Sequence, residues 1–238
     1  MREPLLHLRH PHGWLVGVRP PSAEAEIQAA VAELPPEERA VAAEMGSFRA
    51  STFAAGRQAL RMALRAAGAD PGPIGTDARG APICPPGFVG SLAHKPELAV
   101  AIADVADGRG LGVDVEVHDR ERWRIESRIL TPAESAEVAA ARQPSEPTGP
   151  WRLVLGRFSI KEAIYKAIDP FVGRYVGFHE AELLDLVDPG ISPFEAPRFT
   201  STPAALTLAQ GEGTAEIEAT WADAGLVLAT ARIRFIPR

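Results

Sequence analysis

Short alternating apolar runs and longer stretches of helical periodicity follow one another along this chain, and together they predict a mixed fold. Residues 14–18 (Trp-Leu-Val-Gly-Val) read as a short strand. Pro35-Pro36-Glu37-Glu38 opens a helix with proline and acids in its first turn. Gly46 closes that helix and Ser47 is placed to cap the next. The next helix runs to about residue 67, with Phe53, Leu60, Leu64 and Ala67 on one face, and Gly68 stops it. Residues 69–90 are rich in Pro and Gly and read as a long loop, a length that in a compact protein usually serves function. Residues 98–103 and 111–117 read as strands joined through Asp107-Gly108 as a hairpin turn. Thr131-Pro132-Ala133-Glu134 is a capping box that starts a helix to about residue 142. Pro144, Pro147 and Pro150 mark a loop, residues 151–168 are helical, and Asp223-Ala224-Gly225 is a turn. After it Val227, Ala229, Ala231, Ile233 and Phe235 alternate along one strand face. The order predicts an α+β protein of two halves, residues 1–110 and 111–238, with no internal repeat at the sequence level.

Composition narrows the function classes. At 238 residues, 46% apolar and 24% charged, the chain has ordinary globular usage. A net charge of −6 argues against broad attraction to nucleic acid or to an anionic membrane, so any polyanionic ligand needs a locally basic pocket. The aliphatic run 98–103 is far short of the roughly 20 residues of a membrane span. Nothing after Met1-Arg2-Glu3 resembles a signal peptide. The single Cys84 forms no internal disulfide and no Cys-rich zinc site. These features predict a soluble, cytoplasmic protein.

Several clusters carry candidate chemistry. Asp114 and Glu116, two apart on a strand, leave the same face. They are either the solvent side of a half-exposed strand or a pair of hard oxygen ligands. Two such carboxylates about 5 Å apart repel by about 3 kcal/mol at an effective dielectric of 20, which a divalent cation removes. Lys161-Glu162-Ala163-Ile164-Tyr165-Lys166 lies on a helix. Its plain reading is a surface pair of Glu162 with Lys166 at i,i+4. Its functional reading is one acid for a metal and two lysines for phosphates. Gly90-Ser91-Leu92-Ala93-His94 stands just before a strand, and Arg49 and Arg57 share one helix, so both can serve one side of a cleft. His7, His10 and His12 have conceivable metal-ligand spacing, although termini collect such clusters by chance. Arg120, Arg124 and Arg128, at i, i+4 and i+8, form either a solvated mixed face or a docking stripe for an acidic carrier protein.

Four blocks taken together resemble the 4′-phosphopantetheinyl transferase superfamily, in its class that activates siderophore, peptide and polyketide synthases. They are Phe48-Arg49 through Ala55-Gly56-Arg57, Arg79-Gly80-Ala81-Pro82 through Gly90-Ser91-Leu92-Ala93-His94, Gly112-Val113-Asp114-Val115-Glu116, and Phe158-Ser159-Ile160-Lys161-Glu162-Ala163-Ile164-Tyr165-Lys166. Thr76 departs from the pattern, standing where some relatives carry a basic residue. The resemblance implies two similar α+β halves in a pseudo-twofold arrangement, with coenzyme A and Mg²⁺ (or Mn²⁺) in a cleft between them. It implies Asp114, Glu116 and Glu162 as metal ligands. Arg49, Arg57 and His94 meet the 3′-phosphoadenosine end of coenzyme A, with Ser91 and Arg79 in the same region. Lys161 and Lys166 are implied as phosphate partners.

The implied reaction is Mg-dependent transfer of 4′-phosphopantetheine from coenzyme A to a serine of an apo acyl or peptidyl carrier protein, releasing adenosine 3′,5′-bisphosphate. Lys166 would stabilise the leaving group, and either Glu162 or a metal-bound water would be the base. A monomer is implied, with neither nucleic acid nor membrane as partner. Two other classes use the same residues: a metal-dependent phosphohydrolase of small nucleotides and a non-catalytic coenzyme A-binding module.

Overall fold

The computed structural model describes residues 3–118, 125–141, 149–209 and 212–238, and the chain divides into two units, Met1–Asp107 and Gly108–Arg238. In the first, β1 (Leu6–His10) and β2 (Gly13–Val18) form a hairpin and three helices follow: α1 (Glu24–Ala32), α2 (Pro36–Ala43) and α3 (Ser47–Ala66). A second hairpin, β3 (Phe88–His94) and β4 (Ala99–Val105), completes an antiparallel sheet of order β1-β2-β4-β3. The core joins Ala55, Ala59, Leu60, Ala63 and Leu64 of α3 to Val16, Val18, Ala99, Ala101 and Ala103 of the sheet. Alanine on both surfaces brings the helix close to the strands. The Pro/Gly-rich segment after α3 is pinned by buried Glu38, whose carboxylate accepts from the Ile74 amide at 2.6 Å and pairs with Arg61.

The second unit holds β5 (Gly110–Val117), α4 (Glu126–Ile129), α5 (Pro132–Ala140) and α6 (Gly149–Val172). A 3₁₀ turn (Phe178–Glu180), the short strands β6 (Ala181–Glu182), β7 (Thr200–Thr202) and β8 (Ala205–Leu206), and the long hairpin β9 (Thr214–Asp223) and β10 (Leu226–Ile236) follow. Its main sheet has the order β5-β10-β9-β7. A shared plan is visible here that the sequence hides. In each unit a strand, a long helix and a hairpin follow in chain order, and the first strand pairs with the second strand of the hairpin (β2 with β4, β5 with β10).

Several sequence expectations need correction. Residues 98–103 and 111–117 are not a hairpin. Gly108 does turn at φ +82°, but β4 pairs with β2 and β3 whereas β5 pairs with β10, more than 100 residues later. Residues 88–90, read as the end of the long loop, already belong to β3, which runs on through His94 and precedes β4. Gly46, not Ser47, is the N-cap of α3, and no side chain caps it. Neither β1 nor α1 was expected. Histidines interrupt the pattern of β1, and α1 buries only Ile27, so its periodic signal is faint. Pro150 stands in the first turn of α6 rather than in a loop, a position proline tolerates; Pro144 and Pro147 lie outside the described residues.

Candidate active site

β5 presents a stripe of alternating residues to α6. Gly110 and Gly112 lie so close under the helix that a Cβ at either would collide with the carbonyl oxygens of Ala167 and Ala163 respectively. Period-2 alternation puts Asp114 and Glu116 on the same helix-covered face, opposite Ala229 and Val227 of β10. Both acids are buried, at 5% and 3% exposure, so β5 is not half-exposed. The Ser159 hydroxyl donates to Asp114 Oδ2 at 2.9 Å. Lys166 Nζ donates to Asp114 Oδ1 at 2.8 Å and to the Val113 carbonyl at 3.0 Å. The lysine thus reaches across to the strand.

Ser159, Glu162 and Lys166 stand at i, i+3 and i+7, one row of the helix surface, so Glu162 shares a side of α6 with both residues that hold Asp114. Beyond it the Tyr165 and Tyr175 rings lie 5.3 Å apart. Burial pushes the Tyr175 phenol above its ordinary pKa, and the charge of Glu162 adds to that. Ser159 was not singled out from sequence, although its spacing from Glu162 and Lys166 was readable.

Among the described residues, no three His, Cys, Asp or Glu side chains gather into a group able to hold a metal ion. By donor type and charge alone, Asp114, Glu116 and Glu162 suit a hard divalent cation. Three carboxylates against the one ammonium of Lys166 leave two negative charges among these four side chains.

Lys161 departs from expectation. Its side chain is 1% exposed, and its three ammonium hydrogens go to Ile129 O (2.7 Å), Glu134 Oε2 (2.7 Å) and Phe178 O (3.0 Å). A saturated, buried ammonium has no donor left for a phosphate. Burial lowers its pKa, against the opposing pull of Glu134.

His118 continues the parity of Asp114 and Glu116, and its Nε2 lies 3.1 Å from Oδ1 of buried Asp223, whose Oδ2 accepts from Arg152 Nε at 2.8 Å. Burial alone would raise the Asp223 pKa; the hydrogen bonds and charges of His118 and Arg152 outweigh it and hold the carboxyl below its ordinary value. Neither residue was picked out from sequence, because their juxtaposition arises only from the β5–β10–β9 pairing.

In the first unit Arg57 is buried, with its guanidinium 4.8 Å over the Phe53 ring and Nη2 donating to Thr76 Oγ1 at 2.7 Å. Its buried Nε has no hydrogen-bond partner in the protein. Thr76, the departure from the family pattern, therefore orients Arg57. Arg49 is exposed on the first turns of α3, and Arg79 is exposed in a turn where its amide donates to Asp77 Oδ1. α3 covers the face of β3 that carries Gly90 and Leu92, close to Leu60 and Gly56 respectively. Alternation gives His94 that face and Ser91 the opposite one, so Ser91 does not line the same surface as His94.

The histidine cluster makes no metal site. His7 lies against Trp14, and His10 Nδ1 accepts from the His12 amide at 3.0 Å. Of the arginine stripe, Arg120 and Arg124 lie outside the described residues, and Arg128 is exposed in the last turn of α4. No helix among the described residues is long and apolar enough to cross a membrane.

Two family models match the chain: the 4′-phosphopantetheinyl transferase N-terminal domain over residues 37–104 and the 4′-phosphopantetheinyl transferase superfamily over residues 110–220. Among similar proteins, 4′-phosphopantetheinyl transferase Svp of Streptomyces mobaraensis is 37% identical over 68% of this chain and 64% of its own. 4′-Phosphopantetheinyl transferase PptT of Mycobacterium tuberculosis is 34% identical over 62% of this chain and 63% of its own. 4′-Phosphopantetheinyl transferase Npt of Nocardia iowensis is 34% identical over 65% of this chain and 68% of its own. The match spans a little under two thirds of the length of the first two and slightly more of the third.

Proposed function

This chain belongs to the 4′-phosphopantetheinyl transferase superfamily, and on that premise we propose that it transfers 4′-phosphopantetheine from coenzyme A to a serine of an apo carrier protein. The observation that carries the reading is the knot of Asp114, Ser159 and Lys166, with Glu162 on the same helical row. The carrier serine gives its proton to Glu162, and its oxygen forms a bond to the β-phosphorus of coenzyme A. The bond from that phosphorus to the bridging oxygen breaks, and its electron pair leaves with adenosine 3′,5′-bisphosphate. Lys166 spends two of its hydrogens on β5, and we assign the third to the leaving phosphate.

Asp114, Glu116 and Glu162 are the side chains that would hold Mg²⁺ or Mn²⁺, which when bound neutralises charge on the pyrophosphate. In the first unit Arg57, pre-oriented by Thr76, takes the 3′-phosphate with Arg49, Arg79 and His94, because a guanidinium fork matches phosphate geometry. Ser91 and Lys161 have structural roles in this reading. We take the carriers to be those of polyketide, peptide or siderophore synthases, and the chain to act as a cytoplasmic monomer.

Incubation with coenzyme A, Mg²⁺ and assorted apo carriers, read by intact mass, tests this. A gain of the phosphopantetheine arm that is lost in Glu162→Gln is the expected result. Coenzyme A turnover without a carrier would instead mark a phosphohydrolase. Binding without any product, unchanged in Glu162→Gln, would mark a non-catalytic module.

A further inference from the structure

We propose that Lys161 is a positioning residue, which fixes the direction of Glu162 through a buried ion pair with Glu134. The inference rests on the role given to Glu162 above.

Three neighbouring residues of α6 point three ways. Ala163 faces the strand, where its carbonyl lies against Gly112. Lys161 is two positions away, about 200° around the helix, and points into the layer on the far side. Glu162 is about 100° from each, on the seam between these two faces. On the far side the Lys161 ammonium ties together the end of α4 (Ile129 O), the first turn of α5 (Glu134) and the 3₁₀ turn (Phe178 O).

Glu134 is fully buried and anchors more than the lysine. Its Oε2 also accepts from the Thr131 amide at 2.8 Å, and its Oε1 accepts from the Leu183 amide at 2.8 Å. On the strand side Ser159 and Lys166 bond Asp114. With both faces anchored, α6 cannot rotate about its axis, and the seam residue Glu162 inherits a fixed direction. Lys161 thus serves the reaction without touching substrate.

The test compares wild type with Lys161→Met and the charge-free pair Lys161→Met/Glu134→Gln. It uses steady-state transfer, coenzyme A titration calorimetry and hydrogen exchange at residues 159–166. Lys161→Met should lower kcat about tenfold or more, as expected for a misplaced group, with KM and Kd for coenzyme A held within about threefold. Exchange should quicken at 159–166 ahead of the rest of the second unit. Removing Glu134's stranded charge in the double variant should recover thermal stability, whereas kcat and protection at 159–166 stay low because the anchor is still missing.

A tenfold rise in KM or Kd for coenzyme A with kcat held would overturn the proposal in favour of direct phosphate contact. Unchanged kcat in a folded Lys161→Met would overturn it as well. If the single variant does not fold, the double variant decides: kcat about tenfold low with coenzyme A affinity held supports positioning, and near-wild-type kcat or a tenfold weaker coenzyme A overturns it. Wild type that modifies no carrier would refute the proposed function instead. Exchange at 159–166 then still decides the positioning role, with selective quickening for it and uniform or unchanged exchange against it.

Discussion

The close approach of α6 to β5 makes Gly112→Ala a demanding perturbation. A Cβ at residue 112 would stand 2.8 Å from the Ala163 carbonyl carbon and 3.0 Å from the Ala167 amide nitrogen, with the Ala163 oxygen nearer still. Ordinary carbon contacts are about 3.8 Å, which alone requires the helix to retreat by about 1 Å, and the nearer oxygen requires more. Every colliding atom is backbone, and no rotamer change relieves the clash. We therefore take the upper end of the overpacking range, about 3 kcal/mol, which for a chain of this size lowers Tm by about 6–12 °C.

The same retreat stretches the Lys166–Asp114 and Ser159–Asp114 bonds, now 2.8 and 2.9 Å, beyond hydrogen-bonding range. A misplacement of about 1 Å costs about 100-fold in rate. Thermal unfolding followed by circular dichroism and carrier modification followed by intact mass measure the two effects. Gly72→Ala is the control, since a Cβ there meets nothing within 4 Å, and it should change stability by no more than about 0.5 kcal/mol. A Gly112→Ala protein with wild-type Tm and wild-type rate would refute the contact between helix and strand backbones.

Two further outcomes are expected. Burial, then the charges of His12 and Arg9, push the His10 imidazole down to about 3. The unfolded chain therefore binds this proton first; the stability is complete above about pH 6.5 and is lost as pH falls from there toward 3. At up to about 1.4 kcal/mol per pH unit, wild type should lose about 1.6 kcal/mol between pH 6.5 and 5 that His10→Gln does not, read from urea midpoints; parallel slopes would contradict the assignment. Arg57→Lys removes the bidentate fork and the bond to Thr76, so it should weaken coenzyme A about tenfold or more while leaving 3′-dephospho-coenzyme A unchanged. Equal loss for both ligands, measured by calorimetry, would separate Arg57 from the 3′-phosphate.

Much of the local structure was legible. Gly68 at φ +98° ends α3, and Thr131 with Glu134 makes the capping box at α5. The sharing of one face by Asp114 and Glu116 follows from strand period alone. These features depend on residues a few positions apart, where backbone geometry dictates the outcome. The hairpin expected through Asp107-Gly108 had equally good local credentials and does not exist. A turn signal states that the chain bends, not which strand the next segment pairs with.

By itself the amino-acid order determined which residues share a strand face or a helix row, because those relations repeat every two or 3.6 residues. It also carried the four blocks that set the chain among its relatives. Only the tertiary structure decided what covers each face. β10 pairs with β5, α6 settles onto Gly110 and Gly112, and the ammonium of Lys161 goes to Glu134 while that of Lys166 goes to Asp114. Two lysines five residues apart read alike in sequence. Their different fates come from burial and from partners supplied by distant segments, which no local period encodes.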